Sequence, residues 1–252
     1  MNRLQSELRR LYVPQPTADQ GRDPEETCLI DSGGRVRAMV LELAAPADWQ
    51  ALSKVWQGVQ ADLELPAPGI VVSGQDGFQL WFSLSEPVPA SQAMTFLESL
   101  RVRYLGDIKV QRVGLMPAVD AATPLQTRHA RPVPAQQANS GHWSAFVAPD
   151  LAPVFADEPW LDTPPSAEGQ ADLLSRLRSI ALADFHRALE RLVLATAPGD
   201  FRQASGTGEV VGAGLDPKRF LLGVMNDDTV DLALRIEAAK ALLPCPHDPR
   251  RH

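Results

Sequence analysis

The stretch VVSGQDGFQLWFSLSEPV, running from Val71 to Val88, limits what this chain can fold into more than any other. β-Branched and aromatic residues flank a polar Gly-Gln-Asp-Gly tip, which reads as an antiparallel hairpin. Helical patterns stand on both sides of it. Upstream, PADWQALSKVWQGVQADL opens at Pro46, a residue favoured in a first helical turn. Within it Trp49, Leu52, Val55, Trp56, Val59 and Leu63 recur at helical spacing. Downstream, PVPASQAMTFLESLRVRYL reads as a second helix that starts near Ser91. A strand from about Val36 to Leu43 precedes the first helix, and DIKVQRVGLMPAV follows the second as a further strand.

The order is therefore strand, helix, strand, strand, helix, strand. That is the split βαββαβ arrangement of ferredoxin-like and RNA-recognition-motif folds, an α+β architecture. Its antiparallel sheet carries both helices on one face and leaves the other face open for function. We expect this unit over roughly residues 35–118, inside a domain of residues 35–160. Residues 1–34 read as a short helix, with Leu4, Leu8 and Leu11 on one side, and a polar loop. HWSAFVAPDLAPVF is apolar enough to return to the domain, and the acidic, Pro-rich ADEPWLDTPPSAEGQ marks a boundary. A helical region fills 161–252: a long helix over 168–197, a Gly-rich linker at 198–214, then two helices opening at Asp216 and after Asp228.

Bulk properties remove several classes. With 44% hydrophobic and 22% charged residues in 252, the composition is that of a globular protein. A net charge of −7 excludes a basic footprint spread over the whole chain, though not a local one. Cys28 and Cys245 form neither a CxxC pair nor a zinc spacing, and read as free thiols of a reducing cytosol. No apolar run reaches the roughly 20 residues that span a bilayer. We expect a cytoplasmic protein without a membrane partner. GxxxxGK[ST], HExxH and GxSxG signatures are absent, and SGTGEVVGAG follows no strand, so it reads as a linker.

Two groups of residues could carry chemistry. The hairpin tip can aim backbone N–H groups and short polar side chains at a phosphate. Ser73 would donate its hydroxyl, Gly74 and Gly77 would let a ligand approach, and Gln79 could bond a base or sugar. The same glycines can equally serve only the turn, with Gln79 solvated. Secondly, Arg112, Arg128, His129 and Arg131 gather positive charge in and beside a loop leaving the sheet, where it could hold a phosphate backbone. A solvated loop is the plain alternative.

SGQDGFQLWFSLSEPV resembles the second motif of the archaeo-eukaryotic primase, or primase-polymerase, superfamily, and in particular of plasmid replication primases. Many members have His where this chain has Gln79. The resemblance covers about residues 35–120. It implies a metal site of paired aspartates, one residue apart on the preceding strand, holding Mg²⁺ or Mn²⁺ for nucleotidyl transfer. In AMVLELAAP only Glu42 stands at such a position; Val40 and Ala44 flank it. The family's third acid could be Asp107 or Asp120. Two divalent ions need several anionic oxygens to offset their repulsion. One strand carboxylate implies a primase-like domain of a plasmid or other mobile element that lacks full polymerase activity, with single-stranded DNA or a replication protein as partner.

DPKRFLLGVMNDDTVDLALRIEAAKALLPC resembles a helical motif of phage small-terminase-like proteins, through Phe220, Leu221, Met225, Asp227, Leu234, Arg235, Ala238, Ala239, Lys240 and Pro244. It implies a helical hairpin that could join two copies of the chain. Two further readings stay open: a non-catalytic interaction module, and an active primase with an unusual metal site.

Overall fold

The strand read from Val36 to Leu43 spans Arg35–Ala44 (β1), and nearly all of it is buried. A strand buried on both faces belongs inside a sheet covered on both sides. The computed structural model describes residues 2–14, 29–31, 33–119 and 127–196. The chain runs through a helix Arg3–Leu11 (α1), β1, a helix Trp49–Ala61 (α2), strands Gly69–Val72 (β2) and Gly77–Pro89 (β3), and a helix Ala90–Tyr104 (α3). Strands Val113–Met116 (β4), Ala118–Val119 (β5), Thr127–Arg128 (β6) and Ala145–Val147 (β7) follow, then helices Ala167–Ser175 (α4) and Leu182–Thr196 (α5).

Five strands form one sheet in the order β4-β1-β3-β2-β7, and every neighbouring pair is antiparallel. β5 and β6 pair separately. The protein is a mixed α and β structure, and no helix among the described residues is long and apolar enough to cross a membrane.

Alternation along the strands sorts their side chains onto two faces. On one face Met39, Leu41, Leu43, Leu80 and Phe82 meet α2 through Leu52, Val55 and Val59, and α3 through Phe96 and Leu100. α5 completes this layer with Phe185 and Leu192. Phe96 lies edge-on to Phe82 at 5.8 Å and tilted to Phe185 at 5.2 Å between ring centroids. On the other face Val40, Val71, Trp81 and Phe146 pack against Leu4, Leu11 and Tyr12 at α1 and Ala171 and Leu174 of α4.

The expected open face is therefore largely closed. α1 and α4 lie across it because each has an apolar stripe that needs a surface, and the helical period does not say which surface. The register of β1 against β3 slips between Val36 and Ala38. Beside that slip Arg37 donates to Leu84 O, Val13 O and Arg10 O, at 3.0, 3.1 and 2.9 Å. It ties the end of α1 to the sheet.

The long helix read over 168–197 is two helices. Between them Ile180 leaves the helical pattern to bond β3: its N–H donates to Ser83 O at 2.7 Å, and Ser85 N–H donates to Ile180 O at 2.9 Å. The strand bonds outweigh helix propensity there. This connector carries the chain from one face of the sheet to the other. The boundary read near residue 160 does not separate the helices from the sheet, since the compact unit runs from Met1 to Gly199.

HWSAFVAPDLAPVF supplies β7, which extends the sheet beyond β2. The outer side of β7 is capped by Gln170 of α4. Phe146 N–H donates to Gln170 Oε1 at 2.8 Å, and Gln170 Nε2 donates to Phe146 O at 2.9 Å. An amide side chain takes the place of a further strand, which blunts that edge. The strand expected over DIKVQRVGLMPAV begins only at Val113, after a 3-10 turn at Val110–Arg112. The expected linker at 198–214, the two C-terminal helices, Cys28, Cys245 and Asp120 lie outside the described residues.

Candidate functional site

The β1–β3 register places Glu42 opposite Gln79, and the β1–β4 register places it opposite Gly114. Both side chains rise on the face that α1 and α4 cover elsewhere. Here the cover stops and leaves a cavity of about 380 Å³. Glu42, Ser73, Gln79 and Arg131 line it together with His129, Gln137 and Ser144. Leu115, Met116 and Val133 add apolar wall.

An aromatic cluster orients the polar pair. Trp81 is buried, edge-on to Tyr12 at 5.1 Å and to Phe146 at 5.9 Å. Its indole N–H donates to Gln79 Oε1 at 2.8 Å. An indole N–H can only donate, so it fixes the carbonyl end of the Gln79 amide toward Trp81. The amide nitrogen is thereby turned toward Glu42, and Nε2 donates to Glu42 Oε1 at 3.1 Å. Burial pushes the Glu42 carboxyl above the ordinary carboxylate range; the Gln79 bond pulls it back, and the nearby Asp76 charge adds to the rise.

A carboxyl whose folded pKa is raised binds its proton more tightly in the folded state than in the unfolded one. Its contribution to stability is present in acid and is lost as pH rises from the ordinary carboxylate range through the raised folded pKa. Glu42→Gln is therefore expected to raise Tm relative to the parent protein at neutral pH. The gap should close as pH falls below the ordinary range. A gap that does not change with pH in thermal melts would show that Glu42 carries no such shift.

The hairpin residues hold the site more than they offer it. Ser73 Oγ accepts from Gln75 N–H at 3.2 Å and Gly77 N–H at 3.1 Å, closing the turn. Gly74 has φ +78°, and a Cβ there would stand 2.8 Å from Ser144 N. A Cβ on Gly77 would stand 2.7 Å from the Ala44 Cβ. Both glycines are thus explained by close backbone approach.

Gln137 belongs to no motif or periodic pattern in the sequence, yet it joins two walls. Its Nε2 donates to Ser73 O at 3.0 Å, and its Oε1 accepts from Arg131 Nη1 at 3.4 Å. It lies in a polar segment that gives no periodic signal. Ser144 lies in the apolar segment that supplies β7, where a lone serine gives no signal of a site; its hydroxyl accepts from Ala135 N–H at 3.0 Å.

Other expected site residues stand elsewhere. Arg112 donates to Ala44 O at 3.3 Å and Pro46 O at 2.7 Å, bracing the turn between β1 and α2. Asp107 is exposed beyond α3 and is not part of the cavity wall. Arg128 belongs to β6, and its side chain lies outside the described residues. Glu42 is the one carboxylate on the described cavity wall. Among the described residues no three His, Cys, Asp or Glu side chains are grouped to hold a metal ion. The described donors therefore do not fit a two-metal centre, which needs several anionic oxygens.

Arg131 is exposed and forms no ion pair among the described residues. Among the described residues the site thus offers the Arg131 cation, a fixed amide-carboxylate pair and apolar wall. No known family model matches the chain, and no curated protein matches it in sequence.

Proposed function

We propose that this is a ferredoxin-like, primase-polymerase-like domain that binds single-stranded nucleic acid by seating one nucleotide in the sheet-face cavity. The observation that carries the reading is the meeting of Glu42 from β1, Ser73 and Gln79 from the β2–β3 hairpin, and Arg131 from the segment before β7 on the wall of one cavity of about 380 Å³. That volume lies in the range of small-molecule sites. The element order and the run β4-β1-β3-β2 support the fold assignment, because the split βαββαβ arrangement has that order. The hairpin motif supports the primase-like ancestry, and a replication role on a plasmid or other mobile element goes with it.

The reading assigns binding rather than nucleotidyl transfer. A base would enter against Leu115, Met116 and Val133, and its polar edge would meet Gln79 and Glu42. Arg131 would contact phosphate.

Fluorescence anisotropy of the full chain with a labelled single-stranded DNA 9-mer tests this. Binding should weaken steeply with salt, as phosphate contacts release counterions. Arg131→Ala should weaken binding at all sequences alike and lower the slope of log K against log salt by about 1. No detectable binding at low salt would overturn the reading.

A further inference from the structure

The floor of the cavity has a definite polarity. Gln79 cannot flip without losing the Trp81 bond, so its Nε2 faces Glu42. That nitrogen carries two N–H groups and spends one on Glu42 Oε1. The other N–H has no partner among the described residues. Glu42 Oε2 likewise accepts no hydrogen bond among them, and Oε1 keeps a second lone pair. Gly114, opposite Glu42 on β4, leaves room beside Oε2: a Cβ there would stand 3.3 Å from that oxygen. Across the floor the sequence of groups is donor, acceptor, acceptor.

We propose that the cavity recognises the Watson–Crick edge of guanine, with Gln79 Nε2 donating to O6 and the Glu42 carboxylate accepting from N1–H and the 2-amino group. This rests on the nucleotide-binding reading above and names the base. Guanine presents acceptor, donor, donor, the complement of the floor. Adenine offers one amino donor and one ring acceptor, and cytosine one amino donor, one ring acceptor and a carbonyl oxygen, so neither can match both carboxylate oxygens with donors. Thymine offers a single N–H between two carbonyl oxygens, and one of these would face the carboxylate. A half-buried carboxylate with only one described donor from the protein gains most from two further N–H groups. A carboxylate left facing an acceptor in a confined site is penalised strongly.

Thymidine 9-mers with one central variable base, titrated against the full chain at fixed salt, test the proposal. The strand with central dG should bind about tenfold more tightly than the all-thymidine strand, the size of one good bidentate contact. Deoxyinosine keeps O6 and N1–H but lacks the 2-amino group, and should fall between the two. Glu42→Gln replaces one carboxylate oxygen by a donor, and should bind the dG and dT strands alike. Equal affinity of all strands would overturn the base assignment while leaving nucleic-acid binding in place. So would tighter binding of central dA or dC, deoxyinosine equal to dG, or a dG preference that survives Glu42→Gln. Failure of every strand to bind would remove both this proposal and the one beneath it.

Discussion

Arg37→Ala is expected to destabilise the fold by about 4 kcal/mol, since it removes three charge-assisted hydrogen bonds and leaves their acceptors unpaired. The guanidinium is buried and forms no ion pair with a described carboxylate. It is held by the carbonyls of Leu84, Val13 and Arg10 instead. Arg10 lies in the last turn of α1, where the helix dipole favours a cation. Burial, and then the Arg10 charge, hold the Arg37 pKa below its ordinary value. Arg37→Lys should recover only a fraction, because a single ammonium cannot span three carbonyls in the plane of a guanidinium. Urea unfolding followed by circular dichroism checks this. A loss below about 1 kcal/mol, the worth of one ordinary hydrogen bond, would mean that the guanidinium does not hold α1 to the sheet.

Gly74→Ala should cost about 3 kcal/mol, from left-handed backbone strain and overpacking combined. The φ of +78° is one part. The other is the placement of the new Cβ, 2.8 Å from Ser144 N and 3.0 Å from Trp143 C, both backbone atoms that cannot rotate away. Gly141 supplies the comparison, with φ +76° but its nearest neighbour, Gln136 Nε2, 3.8 Å away. Gly141→Ala should cost about 1 kcal/mol, the conformational part alone. Ser73 and Ser144 both line the cavity beside Gly74, so the Gly74 variant should lose the proposed nucleic-acid binding along with stability. Equal losses in the two variants, measured by denaturant titration, would show that the backbone approach at Gly74 is not tight.

The elements around the cavity were readable because each carries its own period. Trp49 to Leu63 repeats as a helix, and Val71 to Val88 as a hairpin, so α2, β2 and β3 stand where the pattern puts them. Ser73 and Gln79 could be named as candidates because a polar residue on an apolar ribbon stands out, Glu42 because the primase resemblance points to an acid there, and Arg131 because it belongs to a local cluster of positive charge. Their meeting in one cavity depends on register and loop return, which no local pattern encodes. Gln137 lies in a stretch of Pro, Gln, Asn and Ser whose only signal is polarity, and Ser144 stands in an apolar segment whose signal is burial rather than chemistry. The break at Ile180 was hidden because RLRSIALAD has no Pro or Gly; the helix yields there to the Ser83 and Ser85 backbone, a partner nearly a hundred residues away. The placing of α1 and α4 was hidden likewise, since an amphipathic helix announces that it needs a surface and not which one.

The connector through Ile180 also sets an order of events in time. α4 lies on one face of the sheet and α5 on the other, so both layers are finished only by the last segments of the unit to be made. At a synthesis rate of about 5–20 residues per second, the strands up to Pro89 wait about 5–20 seconds for Leu192 to follow. During that interval Phe82 and Phe96 lack Phe185, and Tyr12 and Trp81 lack Leu174. A nascent chain stalled near residue 160 would therefore leave part of each sheet face uncovered until the connector and both helices had followed.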